Sequence, residues 1–262
     1  MTAGADATRT MPVLFIGHGS PMNTIEENAW SNAWRLVGAA LPRPRAILCV
    51  SAHWETAGPQ LTGAIAPDTI HDFYGFPQAL FDVRYPAPGD PALAQRAAQL
   101  IGPEAKIDEQ RGLDHGVWSV LVPMFPDADV PVVQLGIDTR RDGAWHYALA
   151  RRLDPLRDEG VLILCSGNIV HNLRLLDLRG GPAAAWALRF RDLVNGLIRD
   201  GRHQPLMDWP SLPDAQQAIP TPEHYVPLLY ALANGRQGDK VTVFNDDVMS
   251  TLSMTSLLID AA

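Results

Sequence analysis

Residues 161–167 read VLILCSG, five apolar residues followed by serine and glycine with no charge among them. A run this short and this uniformly apolar reads as a strand buried on both faces, inside a sheet covered by helices. The same pattern recurs in VLFIG (13–17), AILCVSA (46–52), VPVVQLGI (130–137) and VTVFN (241–245). Helical spacing separates these runs. It is clearest in GPAAAWALRFRDLVNGLIRDG, where Trp186, Phe190, Leu193, Val194, Leu197 and Ile198 share one face, and Asp200-Gly201 supplies a stop. Segments near 26–40, 91–101, 142–153 and 223–234 also read as helices. The alternation predicts an α/β fold: a single domain with a central, largely parallel or mixed β-sheet flanked by helices.

At 262 residues the chain has room for a sizeable core, and no repeat, low-complexity linker or charge block divides it. The expected organisation is a flexible N-terminus over residues 1–11 and one domain over 12–260. Residues 54–90 stand apart as a long ordered loop region. They are rich in proline and glycine and carry Phe73, Tyr74, Phe76, Phe81 and Tyr85, and long loops in compact domains often carry function. The formal net charge of -8 offers no basic excess for nucleic acid. Cys49 and Cys165 each sit inside an apolar run and read as buried thiols, neither disulfide nor metal pair. With no signal-like N-terminus and no apolar stretch of membrane-spanning length, the expectation is a cytoplasmic protein with no membrane partner.

Three of the eight histidines follow the apolar runs: His18 after VLFIG, His53 after ILCVSA, and His171 a short turn beyond VLILCSG. Ligand sites in open α/β sheets form outside the carboxyl ends of strands, so these three can converge from distant parts of the chain. Neutral imidazole is the commonest protein metal ligand, which makes a metal site at those ends the leading reading. Gly17 and Gly19 around His18 allow a sharp turn and a close approach. His224 lies where Pro220 and Pro222 force a turn and a helix is expected from Glu223; taken alone it reads as an exposed or capping residue. His115, beside Asp114 and Gly116 ahead of an apolar helix, reads equally as an acid/base or a structural residue. His71 is placed to line a pocket, while His146 and His203 read as surface residues. The chain has no G-x-G-x-x-G after a strand, no P-loop, no CxxC and no G-x-S-x-G around Ser20 or Ser166.

In order along the chain, GHGSPMN, SAHWE, HDFYGFP, LDHGVWSVL, SGNIVHNLR and PTPEHYVPLLYAL resemble the DOPA 4,5-dioxygenase branch of the class III extradiol ring-cleavage dioxygenases. The resemblance runs from residue 12 to about 256. It implies a catalytic α/β domain that opens a catechol, L-DOPA or a related one, with O2 to give a muconic semialdehyde. His18, His53 and His224 would be the metal ligands. His171 would be an acid/base, or in some relatives a further ligand, and His115 would assist proton handling. Fe(II) is the expected active ion and Zn(II) an alternative occupant, since three neutral histidines form a zinc-like donor set whereas non-haem iron oxygenases usually add a carboxylate. The competing readings are a zinc-dependent hydrolase and a non-catalytic protein that binds metal or aromatic ligands.

Overall fold

The computed structural model describes residues 10–177, 179 and 181–261. Its strands are β1 (Val13–Gly17), β2 (Ala46–Glu55), β3 (Gln60–Thr62), β4 (Lys106–Asp108), β5 (Val132–Ile137), β6 (Val161–Gly167), β7 (Lys240–Phe244), β8 (Val248–Met249), β9 (Leu252–Ser253) and β10 (Ser256–Asp260). Eight of them form one mixed sheet in the order β4-β3-β5-β2-β6-β1-β10-β7, and β8 pairs with β9. At its centre β5, β2, β6 and β1 run parallel, while β10 and β7 extend it antiparallel.

All seven residues of β6 are buried, as their composition requires. Along each central strand, successive side chains enter opposite cores. Val13, Phe15, Leu48, Ile163 and Cys165 pack on one face, and Leu14, Ile16, Ile47, Cys49 and Leu164 on the other. The two cysteines therefore lie in different cores, free and buried, and burial raises both thiols above their usual range. Helices Ala29–Ala40, Pro91–Ile101, Gly143–Arg151, Ala185–Arg199 and Val226–Ala233 match the segments read as helical. The Ala185–Arg199 helix stops where expected, with Gly201 at φ +66°.

Several expectations need correction. Strand β10 was not anticipated, although it stands between β1 and β7. β7 is an edge strand of exposed and half-buried residues, not one covered on both faces. His146 is fully buried, pressed between its own helix and the Val226–Ala233 helix. Its Nε2 donates to the Asp138 carbonyl at 3.1 Å, which leaves Nδ1 to accept from the Tyr230 hydroxyl, also at 3.1 Å. His203 is half-buried, its Nδ1 lying 2.8 Å from the Tyr147 hydroxyl. Of the stretch expected to be flexible, residues 1–9 lie outside the described residues. Met11 is buried, with its N–H on the Arg157 carbonyl, and Thr10 donates to Asp158. Among the described residues, no helix is long and apolar enough to cross a membrane.

Candidate metal centre

The parallel strands bring their carboxyl ends to one edge of the sheet, and the histidines gather there. His18 is the first residue beyond β1. Its neighbours explain the glycines: a Cβ on Gly17 would stand 2.6 Å from the Met254 carbonyl carbon, and Gly19 turns at φ +62°. His53 lies late in β2, where pairing with β5 loses its register between Val50 and Glu55. An irregularity of that kind re-aims a side chain near a site. His224 precedes the Val226–Ala233 helix, so the helix expected from Glu223 begins three residues later. Far from being exposed, His224 is only 6% accessible, because its backbone carbonyl accepts from Asn168 just past β6.

One nitrogen from each of His18, His53 and His224 lies within 4.8 Å of the other two. His18 Nε2 and His53 Nε2 are 3.1 Å apart. The opposite nitrogens are engaged elsewhere. His18 Nδ1 is 3.0 Å from the Ser166 hydroxyl, and His53 Nδ1 is 3.7 Å from Asp72 Oδ2. His224 Nδ1 donates to Glu223 Oε1 at 3.0 Å, so its Nε2 carries the lone pair. That Nε2 is buried with no hydrogen-bond partner. Burial, followed by the neighbouring imidazoles, holds His18, His53 and His224 well below the usual histidine range, so all three are neutral at neutral pH. Neutral imidazoles facing one another around an unpartnered buried nitrogen are a donor set that fits a divalent cation.

The other two histidines flank this group. The His171 ring stacks on His224, its backbone N–H held by the Ala218 carbonyl at 2.9 Å. It forms a set with Glu223 and His224 and is not part of the group holding His18 and His53. Burial, then the nearby His115, lowers His171 to about 4, leaving an uncharged base at neutral pH. His115 opens the helix His115–Met124, with its ring centroid 3.8 Å from that of His53.

The partner of His115 is Asp72, not the adjacent Asp114. Asp72 Oδ1 accepts from both the backbone N–H and Nδ1 of His115, at 3.0 and 2.9 Å. Burial pushes the Asp72 carboxyl up, but the His115 hydrogen bonds and the charge beside it outweigh this, leaving it at about 2. Asp114 instead reaches beneath β2, accepting from Ser51 Oγ at 2.7 Å and from Gln134 Nε2. Burial and then the charge of Asp72 raise its carboxyl above the ordinary range.

Residues 71–85 form one wall. Phe73 meets the His115 ring edge-on at 5.5 Å and packs with Phe76, Phe81 and Trp118. His71 closes the loop on itself through the Val83 carbonyl, 3.1 Å from Nε2. Tyr85 is buried with its hydroxyl on the Phe125 carbonyl, and Tyr74 is 92% exposed, so neither faces the histidines. Sequence reasoning missed Asp72 and Ser166 as partners of the histidines. Glu223, read from the sequence as the start of a helix, accepts from His224 and fixes its ring.

The model of a family described as the catalytic LigB subunit of aromatic ring-opening dioxygenase matches residues 13–255. The chain belongs to that family. Among curated LigB-type relatives, the 4,5-DOPA dioxygenase extradiol of Escherichia coli K12 is 46% identical over 256 residues, covering 95% of this chain and 94% of its own. The protein of the same name from Beta vulgaris is 36% identical, covering 88% and 90%. A crystal structure of an uncharacterised Escherichia coli K12 protein superposes with a TM-score of 0.84 at 40% identity, over 95% of this chain and 99% of its own. This LigB-family chain is thus an aromatic ring-opening dioxygenase of the non-haem, extradiol type.

Proposed function

We propose that the chain cleaves a catechol of the L-DOPA class with O2, adjacent to the diol, to give a muconic semialdehyde. His18, His53 and His224 hold the metal, and Fe(II) is the active ion. The observation that carries this reading is the buried, unpartnered His224 Nε2 beside the closely approached His18 and His53 nitrogens. Iron bound there supplies the Lewis acidity that eases loss of a catechol proton and the redox capacity that dioxygen chemistry requires.

The surrounding residues do the rest. His171, neutral and stacked on His224, takes the proton from a catechol hydroxyl. His115 handles the second proton, returning it as the oxygen–oxygen bond breaks. Phe73, with Phe76 and Phe81 behind it, excludes water and offers an aromatic edge to the substrate ring. The L-DOPA class is supported by the names of the Escherichia coli and Beta vulgaris relatives.

The test is anaerobic loading of the apoprotein with Fe(II), then L-DOPA, then oxygen. A yellow product with one O2 consumed per product supports the reading. Catechol binding with confirmed iron and no oxygen uptake overturns it.

A further inference from the structure

We propose that Asp72 is a positioning residue that fixes His115 with its proton on Nδ1 and its lone pair on Nε2. This rests on the catechol-cleaving reading for its catalytic consequence, but the assignment itself is geometric.

A single oxygen, Asp72 Oδ1, accepts from both the backbone N–H and Nδ1 of His115. An ionised carboxylate only accepts hydrogen bonds, so Nδ1 must be the donor, and in the neutral ring the lone pair is then on Nε2. Two attachment points on the same residue fix the ring more firmly than one. They tie it to the first turn of the His115–Met124 helix, where partial positive charge favours the carboxylate. The second oxygen, Oδ2, faces His53 Nδ1 at 3.7 Å. One carboxylate thus stands behind both His115 and His53, with Phe73, the next residue, against the His115 ring. His53, Asp72 and His115 also have ligand atoms close enough to hold a cation themselves. The contacts of 2.9 and 3.0 Å make Asp72 and His115 a hydrogen-bonded pair, and His53 also belongs to the group with His18 and His224, so a single metal per chain is expected.

The loop does not depend on Asp72 for its place. Leu113 N–H donates to the Asp68 carbonyl and Ile70 N–H to the Leu113 carbonyl, both at 2.8 Å, and Trp118 Nε1 donates to the Ile70 carbonyl at 2.8 Å. Removal of the Asp72 carboxylate therefore leaves the fold intact and releases the His115 ring.

The experiment uses the zinc-loaded full chain with ¹⁵N-labelled histidine, so that ring-nitrogen shifts report the tautomer without any turnover. The His115 signals are assigned by their loss in His115→Gln. Nδ1–H with bare Nε2 is expected in the wild type and in Asp72→Asn, whose amide oxygen still accepts, and a tautomer mixture in Asp72→Ala. With iron, kcat should fall about 100-fold in Asp72→Ala and about 10-fold in Asp72→Asn, with KM within about 3-fold and one metal per chain throughout. The proposal is overturned by an Nε2–H tautomer in the wild type, by an unchanged His115 signal in Asp72→Ala, or by two metals per chain. If the wild type cleaves no catechol, the catalytic reading fails while the tautomer still decides the role of Asp72.

Discussion

The imidazoles of His171 and His224 lie face to face, their centroids 3.4 Å apart and their planes 7° from parallel. The stack sets His171 against the face of a ring that also contributes a nitrogen to the group with His18 and His53. Both rings are neutral at neutral pH, so stacking brings no charge repulsion. The arrangement places His171 beside the group formed by His18, His53 and His224 but outside it.

Replacing His171 with Phe keeps an aromatic face on His224 and removes only the basic nitrogen. Metal content should stay at one per chain while kcat falls by about 10²- to 10⁴-fold, the usual worth of a positioned base. Metal analysis beside steady-state oxygen uptake checks this. Unchanged turnover would remove His171 from proton handling, and lost metal would make it a ligand.

Glu223 is placed to act on a metal bound by the proposed ligand His224. It accepts from Nδ1 at 3.0 Å and is itself held by the Thr221 hydroxyl at 2.8 Å. Glu223→Ala should weaken Zn(II) binding by about 10- to 100-fold, as loss of such outer partners generally does. Glu223→Gln, which keeps an acceptor oxygen, should fall between. Competition against a chromophoric chelator measures both affinities, and equal affinity in all three proteins would contradict the role.

Removing the metal separates stability from activity. A chelator should lower the melting temperature, and either Fe(II) or Zn(II) should restore it, since at 100 times Kd a ligand adds about 2.7 kcal/mol of stability. Only Fe(II) should restore oxygen uptake. Recovery of ring cleavage with zinc alone would show that redox capacity at the metal is not required.

His146 predicts a pH dependence of stability away from the metal. Burial lowers it to about 4, the Asp138 carbonyl and nearby acids opposing that only in part. Above about 6.5 neither folded nor unfolded chain protonates this ring, so it contributes no pH dependence there. As pH falls from about 6.5 to about 4, the unfolded chain gains a proton that the folded one refuses, and stability drops by about 3 kcal/mol in all. His146→Gln should be less stable at pH 7.5 but lose less on acidification across that window. Chemical denaturation of both proteins at several pH values measures the difference, and parallel curves would refute it.

The sheet was legible because strands buried on both faces leave unbroken apolar runs, and β1, β2, β5 and β6 all do so. Strand β10 escaped because SLLID follows the polar stretch around Thr255 and carries its own acid. His18 and His53 could be read as site residues because each directly follows such a run. The clamp from Asp72 to His115 joins residues 43 apart, and the contact from His18 to Ser166 spans 148, so neither leaves a local pattern. His146 was misplaced for a related reason. Helical periodicity shows which residues share a face, but not that a second helix covers the polar one with Tyr230.

Strand β1, which carries His18, is bordered on one side by β6 and on the other by β10, built from residues 256–260. Gly17 N–H donates to Ser256 Oγ at 3.2 Å, so the turn into His18 is held by a segment 239 residues further along the chain. Without β10, β1 would keep one unpaired edge of apolar residues, the kind that pairs with foreign strands. A chain cut before residue 256 is therefore expected to aggregate more readily than one that includes β10.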